Sequence, residues 1–187
     1  MRESEHLLEG VRERLITGLN NFDRSDKSIK ITVSNNVDAG AGKEFINIYK
    51  ASVSNVNPLS AMITREVHSI TIGVTRRLVG VPLDRVGHRL LTKEDKINLL
   101  KPSLLQRVGE INELIDNSYD LLKIVNDRIS EAGDGEHFLI PLALDSDSGE
   151  VDWVEEDHFF NDESGGDRPE GIYTELVFSN AQLFRVR

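Results

Sequence analysis

The chain has no cysteine. That excludes disulfides, thiolate metal sites and cysteine nucleophiles together, and with them any small domain held by cystines. Aromatic residues are few, 6% of 187 residues with one tryptophan, so a stacking platform for single-stranded nucleic acid has little to be built from. No apolar run approaches the roughly 20 residues that cross a bilayer, and no membrane association is expected. The opening Met1-Arg2-Glu3-Ser4-Glu5 lacks the apolar core of an export signal. Positive charge is in deficit: 22 Lys and Arg against 32 Asp and Glu leave −10, which opposes binding to the outside of a nucleic acid by counterion release. The five histidines (His6, His68, His88, His137, His158) show no His-x-x-x-His spacing, and no Gly-x-Ser-x-Gly elbow is present. His68 falls on the apolar face of a strand-like run, where a hydrogen-bonded core histidine is the plain expectation.

What remains, 39% hydrophobic and 29% charged residues, is enough to fold and bury a core. Leu8, Val11, Leu15 and Leu19 recur at helical spacing and predict a helix over about 4–20. Ile29, Ile31 and Val33 alternate with Lys30 and Thr32 as in a half-buried strand. A second strand is expected over 44–54, covered on both faces, with a turn at Asn55-Val56-Asn57-Pro58. A third is expected over 66–77, with His68, Ile70, Ile72 and Val74 on one face. The glycines and proline of 78–102 predict an extended arm. Pro102-Ser103 then opens a long helix whose stripe runs from Leu104 to Ile129 and stops near Gly133. Short strands are expected at 138–144, which contains Pro141, and at 172–178, with an acidic loop over 145–170 between them. Residues 181–187 extend the last strand or form a tail. The economical architecture is one α+β domain over 1–187, a mainly antiparallel sheet packed by an N-terminal and a long central helix.

The segment Asn35-Asn36-Val37-Asp38-Ala39-Gly40-Ala41-Gly42-Lys43-Glu44-Phe45 outlines a phosphate-cradling loop after a strand. It fails three requirements. The first glycine of the pattern belongs where Val37 stands, Glu44 replaces the hydroxyl residue, and a strand rather than a helix follows Lys43. Asp145-Ser146-Asp147-Ser148-Gly149 with Glu156 echoes a calcium loop, but its glycine stands at the fifth position instead of the sixth. An acidic turn is the simpler reading. Neither stretch predicts a cofactor, and no pair of carboxylates is singled out for acid–base work, so the chain is not expected to be an enzyme.

The charge is unevenly placed. From Arg65 to Lys93 six cations face two acids, and from Asp145 to Glu170 eleven acids face Arg168 alone. These are either solvated segments or complementary surfaces on successive copies. The second reading assigns Arg76, Arg77, Arg85 and Arg89 to one side of an assembly interface and Asp152, Glu155 and Glu156 to the other, since arginine's rigid fork suits carboxylates.

The order of elements, an N-terminal helix, the strand Ile29-Lys30-Ile31-Thr32-Val33, a hairpin loop, two further strands, a long helix and a closing strand, with Ile70-Thr71-Ile72-Gly73-Val74-Thr75-Arg76-Arg77 before a proline-containing arm, resembles the tail terminator proteins of long-tailed bacteriophages, the minor tail protein U type. The same stretch is similar to the strand-plus-Arg that phage neck and tail-completion proteins often carry before such an arm. The resemblance is one of element pattern over most of the chain, with a longer arm and acidic loop here. It implies a virion subunit, assembled in the host cytoplasm, that forms a ring of usually six copies. Such a ring caps the tail tube, meets a head-side connector and lets DNA pass through its lumen without specific binding. Gly40, Gly42 and Lys43 would then lie at a rim. A neck protein of the same region fits nearly as well. From other classes, a small metal-dependent hydrolase using the acid-rich segment or a monomeric binding module stays open.

Overall fold

The structure, a computed structural model, describes residues 3–19, 29–33, 44–59, 63–78, 91–133, 137–140, 143–144, 148–155 and 170–186. Helix α1 (Glu3–Gly18) is followed by strands β1 (Ile29–Val33), β2 (Glu44–Pro58) and β3 (Ile63–Arg77). Then come α2 (Lys93–Ile115), α3 (Tyr119–Ala132), β4 (His137–Ile140), β5 (Ala143–Leu144), β6 (Val151–Glu155) and β7 (Glu170–Val186). The fold is α+β. Its sheet runs β1-β2-β3-β7, and the far edge of β7 pairs in turn with β4, β5 and β6. Among the described strands, only β1 with β2 is parallel. The other pairs are antiparallel.

Alternation along the strands gives the sheet two buried faces. Ile46, Ile48, Ile70, Ile72, Val74, Ile172, Leu176 and Phe178 join one core with Leu7, Val11 and Leu15 of α1, Leu104, Ile111 and Ile115 of α2, and Leu121, Val125 and Ile129 of α3. Each such side chain contributes about 1.5–3 kcal/mol of burial. On the opposite face Phe45, Thr75 and Tyr173 form one cross-strand row and Asn47, Gly73 and Glu175 the next. Phe45 and Asn47 there are as buried as the core, as both-sided covering of β2 requires. Helix α1 lies close on its neighbours because Gly10 faces Val125 and Gly18 faces Leu114. A methyl group at either position would meet those side chains at 2.6 or 2.4 Å.

Four expectations change. Pro102 does not open the central helix: α2 starts at Lys93, capped by Thr92, whose hydroxyl accepts from the Asp95 amide while Asp95 bonds back to the Thr92 amide. The expected arm therefore loses its last ten residues to the helix, and Pro102 lies inside α2 on its exposed side, at the expense of one backbone hydrogen bond. Second, the central helix is two helices. Asn117 adopts φ 50°, Asp116 is extended, and Ser118 caps α3 by accepting from the Leu121 amide. Third, 55–58 is not the turn; β2 continues to Pro58, which pairs with Thr64. Fourth, the acidic stretch contains β6. The last strand does extend through 181–186, past a bulge at Asn180 with φ 66°.

Candidate functional site: the charged end of the sheet

Register places the first residue of β2, the end of β3, the end of β6 and the start of β7 at one end of the sheet. Glu44 stands opposite Arg76, Arg76 opposite Ile172, and Glu155 opposite Glu170. The Leu78 amide donates to the Glu170 carbonyl at 2.8 Å, so the chain leaves β3 beside the entry to β7. The basic segment after Leu78 and the acidic segment before Glu170 are thus rooted on adjacent strands, about 5 Å apart.

A buried charge network closes this end on the helix side. Glu44 is 1% exposed and accepts from both Arg76 Nη1 and Arg107 Nε, the latter at 2.5 Å. Arg107 Nη1 donates to Glu110 at 2.6 Å, one turn along α2. Arg76 Nε donates to the Ser103 hydroxyl at 3.0 Å, which donates in turn to the Leu100 carbonyl. Two guanidinium and two carboxylate groups balance, and both Glu44 oxygens are used, which is the condition for a buried pair to repay its desolvation. The network ties β2, β3 and α2 together at the point where the basic segment departs.

Beside it, Lys96 Nζ bonds Glu170 Oε2 at 2.5 Å. The ammonium groups of Lys93 and Lys96 stand 5.8 and 5.9 Å from the Trp153 ring centre, within cation–π range. The first turn of α2 is thereby fixed to β6 and β7.

On the other face Tyr49 and Tyr173 share a hydroxyl hydrogen bond of 2.8 Å, and Tyr173 donates to Glu175 at 2.6 Å. The rings close over Gly73, where a Cβ would meet Tyr173 at 2.9 Å. Burial, and then the charge of Asp152, push the Tyr173 phenol far above its ordinary range, so it stays a hydrogen-bond donor at any physiological pH.

Of the residues assigned to an interface, Arg76 is held inside the subunit by Glu44 and Ser103, with its side chain only 27% exposed. Arg77 is half-buried beside it, Asp152 is exposed on β6, and Glu155 ends that strand. Arg85, Arg89, Glu156, Gly40, Gly42 and Lys43 lie outside the described residues. Sequence reasoning missed Glu44, Arg107 and Glu110 as partners. A carboxylate at the start of an apolar strand and an arginine on the stripe of α2 were the available signals. Of the calcium-like stretch, Ser148 to Glu150 is bonded to β7: the Gly149 amide donates to Glu175, and the Thr174 hydroxyl donates to the Glu150 carbonyl.

His68 is 2% exposed and its Nε2 lies 3.2 Å from Glu66. Burial lowers its pKa below 6.5, and Glu66 opposes that in part. A histidine depressed in the fold binds its proton more readily when unfolded. Its contribution is therefore fully present above pH 6.5 and lost as pH falls below it. Denaturant midpoints compared at about pH 7.5 and about pH 5.5 should show a loss that His68→Gln reduces; an equal loss in both proteins would refute this.

No protein-family model matches the chain, and no curated protein matches it. No helix among the described residues is long and apolar enough to cross a membrane, and no three metal-binding side chains among them are grouped to hold an ion.

Proposed function

We propose that the protein is a structural subunit of a bacteriophage virion, a tail terminator that acts as a homo-oligomeric ring between the tail tube and the head-side connector. The observation that carries this reading is the rooting of a basic and an acidic segment on adjacent strands at one end of one sheet. Segments of opposite charge on one subunit suit a head-to-tail contact, in which the basic segment of one copy meets the acidic segment of the next and rotation closes the ring. The element order supports it in part: a helix, three strands, a helical stretch and a closing strand match the pattern on which the resemblance to tail terminators rests, whereas β1 runs parallel to β2 where that pattern has a hairpin. The net charge of −10 suits a lumen through which DNA slides without sticking.

Arg85→Glu with Arg89→Glu is the direct test, since the partners described for Glu44 are Arg76 and Arg107 and both are kept. The double variant should remain folded by circular dichroism yet lose the ring, and raised salt should weaken the wild-type ring in the same way. Assembly unchanged in the variant and in salt would refute the charge contact.

A further inference from the structure

Helix α2 turns Leu100, Leu104, Arg107, Ile111 and Ile115 inward. On its opposite side Lys101, Leu105, Gly109 and Glu113 are all exposed, at steps of four residues, and so form one continuous ridge. Leu105 is 45% exposed, and Pro102 and Leu99, 53% exposed, flank it. A Cβ at Gly109 would meet no atom within 4 Å, so no neighbour among the described residues asks for glycine there. Glycine in a helix interior lowers stability relative to alanine, so this position carries a cost with no return in the isolated chain.

The ridge is its own complement. Turned end over end about its middle, a second copy sets Lys101 opposite Glu113, Leu105 opposite Gly109, and the reverse pairs alongside. The leucine knob then enters the space left by the glycine, the cations meet the anions, and the two helix dipoles run antiparallel. We propose that α2 is an isologous contact surface that pairs the protein with a second copy of itself through the Lys101–Leu105–Gly109–Glu113 ridge. The contact uses neither the basic nor the acidic segment, so it is independent of the ring interface proposed above. One helix per copy buries less than a standard interface, so the dimer is weak and depends on concentration.

Sedimentation velocity of the full chain from low to high micromolar concentration provides the test, run in the Arg85→Glu, Arg89→Glu background so that ring formation does not contribute. Dimer should appear with rising concentration. Lys101→Glu and Glu113→Lys should each raise the dissociation constant by at least about tenfold, and the two combined should restore it. Because the chain has no cysteine, a mixture of Leu105→Cys and Gly109→Cys proteins should form the mixed disulfide faster than either protein forms its own. A chain monomeric throughout, a dimer indifferent to either reversal, a combined swap that fails to restore pairing, or equal cross-linking in all combinations would each overturn the proposal.

Discussion

Glu44→Ala is expected to destabilise the protein by about 3–5 kcal/mol, the range for removing one partner of a buried ion pair. The loss of a salt bridge as such is the smaller part. Arg107 is a buried residue whose Nε is directed at Glu44, and Arg76 is directed at the same carboxylate from the neighbouring strand. Without Glu44, Arg107 keeps Glu110 while Arg76, among the described residues, keeps the neutral Ser103, so a partly buried positive charge is left over. For a chain of this length the loss corresponds to a fall in melting temperature of roughly 6–20 °C. Glu44→Gln keeps the shape and an acceptor and should cost less, and Glu44→Leu combined with Arg76→Leu should recover much of the loss, because Arg107 then keeps Glu110 and no charge is stranded. Thermal denaturation of the four proteins decides the matter. A Glu44→Leu, Arg76→Leu variant as unstable as Glu44→Ala would show that packing rather than charge holds this corner.

Phe178→Ala should cost a similar amount, about 3–5 kcal/mol, for a different reason. Phe178 is fully buried, opposite Ile70 on β3 and Leu144 on β5, just before the bulge that lets β7 run on to Val186. Removing the ring leaves a cavity between the sheet and the helices that neighbouring strands, fixed by backbone pairing on both sides, cannot close. Phe178→Leu should cost far less. Denaturant unfolding gives both values, and a loss below about 1 kcal/mol for the alanine variant would mean that the core relaxes around the gap.

Where a pattern repeats locally, the sequence was sufficient. The 3.6-residue stripe of α1 and the alternation in β1 and β3 place these elements within a few residues of their ends. The covering of both faces of β2 was visible in Phe45 next to Ile46 and Ile48. What failed depended on contacts between distant residues or on a local override. A proline was read as a helix start, whereas the capping box at Thr92 and the packing of Leu100 and Leu104 carry α2 straight through Pro102. The break at Asp116–Ser118 lies inside an unbroken apolar stripe and is set by the left-handed Asn117 and the cap at Ser118. β6 hid in an acidic stretch because its pairing with β7, not its composition, makes it a strand.

The candidate site was legible only in part. Clustering of charge in the two segments could be counted, but their common root requires the pairing of β3 with β7 across 94 residues, from Arg77 to Gly171. Arg76 looked like a partner for a neighbouring molecule because its true partner, Glu44, lies 32 residues away, past one hairpin. Charge patterning alone does not tell an internal pair from an external one.

The proposed function requires that copies of the chain close into a ring. Electron microscopy of the purified full chain at high concentration, in low and in raised salt, tests it most directly. Closed rings of uniform diameter at low salt, lost in the Arg85→Glu, Arg89→Glu variant, are the expected result; particles no larger than monomer or dimer under every condition would contradict it.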